Sequence, residues 1–355
     1  MKSITAKGYK VEFTKKQYII LNDFVESQQY SSVFVLADTN TEEHCLPLFL
    51  SNLSTEATIE IISIEAGEEN KNIETCSGVW NVLSELGADR KSLLINLGGG
   101  VVTDLGGFVA STFKRGIDFI NIPTTLLSMV DASVGGKTGV DLGALKNQVG
   151  VIVNPKMVLV DPQYLNTLPS EEYRSGYAEM LKHGLIQDQD YWNHLKDYKK
   201  ISSEDIQELI FHSVGIKNKV VLEDPYEHGL RKILNFGHTL GHAIESYCLT
   251  QKNKTTLLHG EAIAIGMILE AYLSTELTGL SQNESDEIKT IFSTIYPKVD
   301  FTENEIESIL TLLQYDKKNS HGKVKFVLLE AIGKPVTDIE VPTALFKASF
   351  NYYKQ

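Results

Sequence analysis

Strand and helix signals alternate over the first 165 residues, and this alternation constrains the fold more than any other feature of the sequence. Apolar runs typical of buried strands occupy 32–38, 58–66, 92–97, 119–123 and 157–161. Helical periodicity lies between them, most clearly over 71–87, where Gly87 has the place of a helix C-cap. Strands separated by helices form parallel sheets. Residues 1–165 are therefore predicted to form a Rossmann-like α/β domain.

The character of the chain changes after Leu168-Pro169. Helical periodicity dominates 171–187, 203–223, 231–250 and 259–279. One late hairpin is predicted over 323–341, with its turn at Gly333-Lys334. Residues 166–355 are therefore predicted to form a second, mainly α-helical domain. Two domains also suit a chain of 355 residues, since one hydrophobic core rarely serves so many.

The composition restricts the partners. A formal net charge of −13 argues against nucleic acid or an anionic membrane surface, and no apolar stretch approaches the roughly 18 residues that span a bilayer. The first residues lack the apolar core of a signal peptide, and three widely spaced cysteines without a CxxC pair favour reduced thiols. We expect a soluble cytoplasmic protein that acts on a small molecule.

A glycine-rich loop, Gly98-Gly99-Gly100, follows the strand at 92–97 and precedes a helix predicted to begin near Thr103 or Asp104. Backbone N–H groups in such a loop approach a pyrophosphate closely, and a helix N-terminus favours its negative charge. A strict dinucleotide fingerprint would have glycine in place of Thr103, so a glycine-rich turn without a ligand is the alternative.

Two acidic side chains compete as the partner of a dinucleotide ribose. Asp118 lies at about the usual distance after the glycine loop, but it precedes a strand, whereas the ribose-binding acid follows one. Asp38, with Asn40, comes at the end of the strand at 32–38. We therefore favour Asp38 as the ribose-binding residue.

The stretch 123–147 carries more polar groups than a scaffold requires. They are Thr124, Thr125, Asp131, Lys137, Lys146 and Asn147. Glycines precede Lys137, and glycines beside a lysine and a threonine favour an anion-binding loop, although the pattern is not that of a Walker A motif. A solvated, lysine-containing loop is the alternative.

The motif HTLGH places His238 and His242 one helical turn apart, the spacing of a zinc site. A threonine stands where a zinc protease has its glutamate, so one, both or neither histidine could bind metal. Glu179 and Lys182 lie one turn apart in another helix, and His259 opens an apolar helix; a surface ion pair and a structural histidine are their alternatives. A glutamate and two histidines from three helices would leave a catalytic zinc with an open position.

Several stretches taken together resemble one family, the 3-dehydroquinate synthases. They are GGGVVTDLGGF, RGIDFINIPTTLLSMVDASVGGKTGV, LKNQVG, SGYAEMLKHGLI, GLRKILNFGHTLGHAIE, LHGEAIAIGM and DKK, in the family's order over roughly 30–335. The resemblance implies the fold that this family shares with glycerol dehydrogenases and iron-type alcohol dehydrogenases. It also implies NAD and a divalent metal, Zn²⁺ or Co²⁺, as cofactors.

The resemblance implies roles for the residues that match the family's motifs. The metal ligands would be Glu179, His238 and His259. The substrate phosphate would be held by Lys137, Asn147, His242 and either Lys317 or Lys318, the ring hydroxyls by Asp131, Lys182 and Asn235, and the carboxylate by Lys217 and Arg231. Without the resemblance, Lys217 and Arg231 could instead pair at the surface with Glu223, Asp224 or Glu227. Arg115 would reach a phosphate in the neighbouring subunit, which implies a homodimer.

The NAD contacts implied by the resemblance form the largest set. They are Asp38, Asn40, Glu68, Lys71, Gly99, Gly100, Val101, Val102, Thr103, Asp104, Thr124, Thr125, Lys137, Lys146, Tyr164, Leu165, Asn166 and Thr167. Two positions depart from the family pattern, since Leu145 and Thr103 stand where glycines are common. The stretch between His238 and His259 is also a few residues longer than in the family pattern.

In the family that the chain resembles, the substrate is 3-deoxy-D-arabino-heptulosonate 7-phosphate of the shikimate pathway. NAD⁺ oxidises one ring hydroxyl, phosphate leaves by β-elimination, the hydride returns, and the ring opens and closes by an aldol step to 3-dehydroquinate. Three rivals are considered. A polyol dehydrogenase of the same fold would release NADH, another sugar-phosphate cyclase would need no carboxylate site, and a non-catalytic NAD-binding protein would not need the metal residues.

Overall fold

The computed structural model describes residues 2–14, 18–143, 145–202, 205–251, 254–313 and 324–355. Within them the chain forms two compact units. The first comprises Met1–Tyr173 and Ile206–Asn218, and the second comprises Arg174–Asp205 and Lys219–Gln355. None of the described helices has the length and apolar character needed to cross a bilayer.

The first unit is built on a seven-stranded sheet. The strands of this sheet are β1 (Lys2–Thr5), β2 (Lys10–Phe13), β3 (Ser32–Asp38), β4 (Thr58–Ile64), β5 (Leu93–Gly98), β6 (Asp118–Pro123) and β9 (Met157–Val160). Two further strands, β7 (Lys137–Leu142) and β8 (Leu145–Ile152), form a separate hairpin. The sheet order is β1-β2-β9-β6-β5-β3-β4, and all neighbours are parallel except β1 and β2. The predicted parallel α/β fold is confirmed, and its five predicted strands are β3, β4, β5, β6 and β9.

Helices cover the sheet, and the side chains of its inner strands β3, β5, β6 and β9 are mostly buried on both faces. Those of the first unit are α1 (Ile19–Gln28), α2 (Thr39–His44), α3 (Leu46–Asn52), α4 (Ile73–Glu85) and α5 (Gly100–Thr112), with 3₁₀ turns at Glu68–Asn70, Phe113–Arg115 and Pro162–Asn166. Apolar side chains of α4 and α5, such as Val79 and Leu105, share one core with Leu36 and Leu94 of the sheet. Gly87 (φ +76°) ends α4 as predicted, donating its N–H to the Ser84 carbonyl at 3.1 Å.

Two features of the first unit differ from the sequence-based expectation. Helix α5 begins at Gly100, with Gly99 as its N-cap, rather than near Thr103 or Asp104. Glycine weakens a helix interior but is tolerated in a first turn, so the glycines masked the true start. In addition, the stretch expected to be an anion-binding loop continues into the hairpin β7–β8, where Lys137 pairs with Ile152 and Leu142 with Leu145.

The second unit is mainly helical, as predicted. Its described elements are α6 (Ser170–Gln187), α7 (Gln189–Leu195), the end of α8 (Ile206–Glu223), α9 (His238–Thr250), α10 (His259–Leu277), α11 (Gln282–Ile295), α12 (Glu303–Leu312), α13 (Thr343–Lys354), β10 (Lys325–Ala331) and β11 (Lys334–Glu340). Helix α10 packs against α9, α11 and α13. Its central residues are buried almost all round, which places it in the core of this unit.

The predicted helix over 231–250 is interrupted. A 3₁₀ turn at Leu230–Asn235 comes first, and α9 begins only at His238, after Gly237 in a left-handed conformation (φ +79°). A side chain at 237 would lie 2.3 Å from Cγ of Met267, so the close contact with α10 also requires glycine. The buried carboxylate of Glu270 in α10 caps the start of α9, accepting the N–H groups of Gly237 at 2.6 Å and Leu240 at 3.2 Å.

The late hairpin is present as β10 and β11, but its turn is one residue earlier than predicted. Ala331 pairs with Lys334, so the turn residues are Ile332 and Gly333, and Gly333 has φ +85°. Glycine takes this conformation without strain, whereas lysine would be strained in it. Gly333 is therefore the second residue of the turn, and Lys334 is the first residue of β11.

The two units do not divide at one point of the sequence. The predicted boundary at 165 lies close to the end of the first segment, but 206–218, predicted in the second domain, belongs to the first unit. Phe211 packs edge to face on Phe13, with ring centroids 5.1 Å apart, and Asn218 Nδ2 donates to the Thr5 carbonyl at 3.0 Å. Such long-range contacts leave no mark in local periodicity.

Candidate active site

The carboxyl ends of β3 and β5 meet at the point of the sheet where the strand order reverses. From β3 the chain runs outward to β4, whereas β5 lies on the other side of β3 and leads to β6. Crevices at such a switch point are the usual ligand sites of parallel α/β sheets. Asp38 is the last residue of β3 and Gly99 follows β5, so two predicted cofactor residues lie at this edge.

The two acids considered for the ribose lie at opposite ends of the sheet. Asp38 caps α2, since its Oδ1 accepts the Thr41 N–H at 2.8 Å, and Asn40 lies in the first turn of that helix. Asp118 is the first residue of β6, at the amino end of the strand, and accepts a hydrogen bond from Tyr30 Oη at 2.9 Å. The switch point therefore has Asp38 and not Asp118 beside it.

The start of α5 offers backbone donors to an anion. Its first N–H groups, those of Gly100, Val101 and Val102, have no intrahelical carbonyl to bond, and the helix dipole favours negative charge there. The Val102 side chain is buried in the core, so only its backbone can meet a ligand. A Cβ at Gly99 would lie 3.0 Å from Cγ2 of Thr125. This close-packed start of the helix suits a diphosphate.

Lys71 is the centre of a polar network in the first unit. Its Nζ donates to Oδ2 of Asp104 at 2.6 Å and to Oδ1 of Asn147 at 2.7 Å. Burial alone would lower the pKa of Lys71, but Asp104 and Glu68 raise it above its ordinary value, so the ammonium stays charged. Glu68 in turn pairs with Lys146 at 3.1 Å. Five residues predicted to bind cofactor or substrate are thus brought together.

Asp141 is a member of this network that the sequence did not indicate. Its Oδ1 accepts the backbone N–H of Asn147 at 2.6 Å, and its own N–H donates to the Lys71 carbonyl at 2.9 Å. Asn147 has φ +51°, a left-handed conformation that asparagine tolerates better than most residues. The hairpin turn brings 141 and 147 together, and no spacing rule for ligand-binding residues predicts that pair.

Asp131 and Lys217 form a second pair in the first unit. Asp131 lies in a π-helical turn, Ser128–Ala132, a distortion often found at functional sites. Its Oδ1 is 2.7 Å from Nζ of Lys217, which is buried. Lys217 is therefore not a surface cation. Lys137, at the start of β7, is exposed.

The segment Tyr164–Thr167 follows β9 and lies beside other predicted cofactor residues. Tyr164 is buried, with its hydroxyl 2.7 Å from that of Tyr18, so its side chain faces the core rather than a ligand. Burial raises the pKa of the Cys45 thiol to about 11, while the Thr167 and Thr124 hydroxyls hydrogen-bond it and act in the opposite direction. Cys45 thus marks the place where Thr124 and Thr167 approach each other.

In the second unit, Glu179 lies fully buried in α6 within reach of two imidazoles. Its Oε1 is 3.6 Å from Nε2 of His238 and 3.8 Å from Nε2 of His259. The donor atoms around a tetrahedral zinc ion lie about 3.4 Å apart when the bonds are about 2.1 Å long. A small inward shift would let these three donors share one ion.

His242 belongs to the same cluster. Its ring centroid lies 5.1 Å from that of His238 and 5.7 Å from that of His259, and nitrogens of the three rings come within 4.8 Å of one another. Geometry alone is thus compatible with three imidazoles as ligands, or with Glu179, His238 and His259. The second set is favoured because Glu179 is fully buried with one oxygen on Lys182 and the other on the imidazoles, and a buried carboxylate needs such compensation.

The other ring nitrogens of His238 and His259 have partners of their own. Nδ1 of His238 lies 3.2 Å from the Phe236 carbonyl, and Nδ1 of His259 lies 3.4 Å from Oε2 of Glu245. Outer hydrogen bonds of this kind are typical of metal-binding histidines. Glu245 is a second residue that the sequence analysis missed. Its position three residues after His242 and seven after His238, on the same helix face, was the available signal.

Two carboxylates control the charge of His259. Burial alone would lower its pKa, but Glu245 and Glu179 raise it from 6.5 to about 9. The cluster therefore attracts positive charge, and in the absence of another cation His259 supplies it as an imidazolium.

The remaining predicted substrate residues of the second unit are buried or partly buried. Lys182 pairs with Glu179 within α6. Arg231 is buried, and its Nη1 donates to the Pro225 carbonyl at 2.7 Å. Asn235 Nδ2 donates to Oε1 of Glu227 at 2.6 Å. Arg231 is therefore held inside the protein and is not a surface cation.

Arg115 lies in an unusual backbone segment of the first unit. Lys114, Arg115 and Gly116 have consecutive positive φ angles of 47°, 69° and 109°. Strain of this kind in two non-glycine residues is found mostly at functional positions. The Arg115 side chain is exposed. Lys317 and Lys318 lie outside the described residues.

Comparison with known proteins matches both parts of the chain. Residues 61–175 match the family model described as 3-dehydroquinate synthase N-terminal, and 176–319 match 3-dehydroquinate synthase C-terminal. A 3-dehydroquinate synthase of Parabacteroides distasonis is 40% identical over 348 residues, covering 98% of each chain. One of a Sulfurovum species is 44% identical over 284 residues, covering 79% of this chain and 80% of its own.

Among solved structures, a 2-deoxy-scyllo-inosose synthase in complex with carbaglucose-6-phosphate, NAD⁺ and Co²⁺ superposes with a TM-score of 0.87. It is 25% identical, and the match covers 99% of both chains. The identity to the 3-dehydroquinate synthases is higher and also extends over the whole length. This chain belongs to the 3-dehydroquinate synthase family.

Proposed function

We propose that the chain converts 3-deoxy-D-arabino-heptulosonate 7-phosphate to 3-dehydroquinate and phosphate, a step of the shikimate pathway. The observation that carries the proposal is the buried cluster of Glu179, His238, His242 and His259 with Lys182 beside it, in a chain 40% identical over its length to a 3-dehydroquinate synthase. A protein that only bound NAD would have no use for this cluster.

The metal would be held by Glu179, His238 and His259. Their donor atoms face one another, and one carboxylate with two imidazoles suits Zn²⁺ or Co²⁺ equally. His242 would face the substrate phosphate instead. When bound, the ion supplies a Lewis acid for one ring hydroxyl.

NAD⁺ would lie across the carboxyl end of the sheet in the first unit. The start of α5 would supply N–H donors for the diphosphate, and Asp38, at the end of β3, would bind a ribose. The network of Lys71 adjoins α5 through Asp104. When bound, NAD⁺ supplies a hydride acceptor that is regenerated within the cycle.

The chain's own residues orient the substrate and hold protons. Lys182, buried beside Glu179, can donate a hydrogen bond to a ring hydroxyl at the metal site. Asn147, fixed by Asp141, and exposed Lys137 offer donors to a phosphate, and Arg231 offers a fork of N–H groups to a carboxylate. Orientation by several fixed donors is the main catalytic contribution that these residues make.

Two finer points belong to the same proposal. A homodimer would let exposed Arg115 reach the site of a neighbouring subunit, and the strained backbone at 114–116 supports a functional role for that side chain. The buried cysteines Cys45, Cys76 and Cys248 form no disulfide, and this supports a location in the reducing cytoplasm.

Catalysis should need NAD⁺ only in amounts far below those of the substrate. The hydride that leaves the ring returns to it, so phosphate should appear without lasting absorbance of NADH. Following phosphate release and NADH absorbance together, with catalytic NAD⁺ and either the heptulosonate or glycerol as substrate, tests the proposal. One NADH per turnover, or activity on glycerol without phosphate release, would identify the polyol dehydrogenase instead.

Metal uptake by the metal-free protein should strengthen as the pH rises. With a pKa of about 9, His259 carries a proton at neutral pH and must lose it to become a ligand. The apparent association constant should therefore rise about tenfold per pH unit and level off near pH 9. Titration with Co²⁺ against a chelator measures this, and an affinity independent of pH would contradict it.

The same proton stabilises the metal-free fold. Because the folded pKa is raised from 6.5 to about 9, this stabilisation is complete below pH 6.5 and is lost as the pH rises through 9. The Tm of the metal-free protein should fall over that window, and replacing His259 by Asn should remove this part of the pH dependence.

A further inference from the structure

Glu245 is a buried carboxylate for which the proposed reaction has no direct use. It lies in α9, is 5% exposed, and reaches across to the first residue of α10, where its Oε2 is 3.4 Å from Nδ1 of His259. Glutamate is rarely buried to this degree unless it is paired. Its presence between two helices that both carry histidines of the metal cluster needs a reason.

The contact with Glu245 determines that Nδ1 of the His259 ring carries a hydrogen. A carboxylate can only accept, so the hydrogen bond requires the imidazole hydrogen on Nδ1. When the ring loses its second proton, the nitrogen left with a lone pair for a metal is Nε2, which lies 3.8 Å from Oε1 of Glu179. In His238 the acceptor for Nδ1 is a backbone carbonyl, that of Phe236 at 3.2 Å. His259, as the first residue of its helix, relies on a side chain from another element.

We propose that Glu245 is a positioning residue that holds His259 with Nε2 directed at a divalent cation shared with Glu179 and His238. The inference rests on the proposed function only in taking His259 as a ligand. The new claim is that the metal affinity also depends on Glu245, which accepts a hydrogen bond from His259 but is not itself a ligand. Removing such an outer acceptor typically weakens metal binding about 10- to 100-fold.

The decisive comparison is between two variants of similar size. Glu245→Gln keeps an oxygen that can accept from Nδ1, whereas Glu245→Met has none. Metal-free protein is titrated with Co²⁺ alone against a chelator, and the visible spectrum of bound Co²⁺ reports its coordination. We expect Glu245→Met to bind Co²⁺ about 10- to 100-fold more weakly with an altered spectrum, and Glu245→Gln to retain the wild-type spectrum with a smaller loss.

Two controls separate positioning from charge and from general stability. Glu261→Gln removes a carboxylate two residues from His259 in α10, one that caps the helix by accepting the Leu258 N–H at 2.9 Å, and should leave Co²⁺ affinity and spectrum unchanged. Glu245→Asp keeps the negative charge, but its shorter side chain places the carboxylate too far from Nδ1 of His259. Its Co²⁺ affinity and spectrum should therefore resemble those of Glu245→Met. It also carries the test if Glu245→Met does not fold.

Wild-type Co²⁺ affinity in Glu245→Asp or Glu245→Met would overturn the proposal, as would equal losses in Glu245→Gln and Glu245→Met. His259→Ala distinguishes this failure from failure of the proposed ligand set. If His259→Ala loses the metal while the Glu245 variants keep it, only the positioning role is wrong. If His259→Ala keeps the metal, the ligand assignment itself is wrong.

Discussion

Replacing Glu179, His238 or His259 by Ala should abolish both turnover and metal retention. Each would supply one of three donors, since Nε2 of both histidines lies within 3.8 Å of Oε1 of Glu179, and two donors do not hold a catalytic ion. Loss of a Lewis acid worth several kcal/mol should lower kcat by about three orders of magnitude or more. Elemental analysis of the purified variants and phosphate-release rates measure the two effects.

His242→Ala separates the two ligand sets that the cluster permits. We expect it to keep the metal and to lose activity through weaker phosphate binding, since the proposed ligands are Glu179, His238 and His259, and His242 would face the phosphate. His194 in α7 is exposed, so His194→Ala serves as the neutral control. If His242→Ala loses the metal while Glu179→Ala keeps it, the ligands are the three imidazoles.

Arg231→Met should lose about 30- to 1000-fold in kcat/KM on the heptulosonate while metal content and NAD⁺ affinity stay near those of the unmodified protein. The guanidinium is buried and can bind a carboxylate with two parallel hydrogen bonds. Removing one charge-assisted partner in a desolvated site costs about 2 to 4 kcal/mol. Arg231→Lys keeps the charge but not the fork, and should recover only part of the loss.

The adjacent residue provides a matched control. Lys232 pairs at the surface with Asp338 at 2.9 Å, and such exposed pairs contribute little, so Lys232→Met should change kcat/KM less than about twofold. Sedoheptulose 7-phosphate, which has no carboxylate, should be a poor substrate for the unmodified protein. Equal activity on the two sugars, or a negligible effect of Arg231→Met, would favour another sugar-phosphate cyclase.

The sequence predicted the elements whose signal is local. The five predicted strands of the sheet are apolar runs, and helices α6 and α10 have periodic, uninterrupted patterns, so both the fold class and the helical second unit followed from the residues. The acid and histidines of the metal cluster were found because helical spacing and a family motif single them out. The structure places Nε2 of His238 and of His259 within 3.8 Å of Oε1 of Glu179, and their role as metal ligands stays a prediction.

What the sequence could not predict depends on tertiary contacts. Gly237 breaks an apparently continuous helix because α10 passes too close for a side chain. Asp141 acts across a hairpin and lies outside every quoted motif. Glu245 lies at the end of the motif GLRKILNFGHTLGHAIE, but its contact with His259 joins two helices, and helical spacing alone does not predict such a contact. The start of α5 was placed too late because glycine, a poor helix former, opens it.

The return of 206–218 to the first unit has a consequence for biosynthesis. Phe13, in one of the earliest strands to leave the ribosome, receives the ring of Phe211 only after about two hundred more residues have been made. Domains usually complete folding in order of synthesis, but here the amino-terminal one cannot be finished until part of the other has been translated. The nascent chain must therefore keep an incomplete apolar surface from aggregating during much of its synthesis.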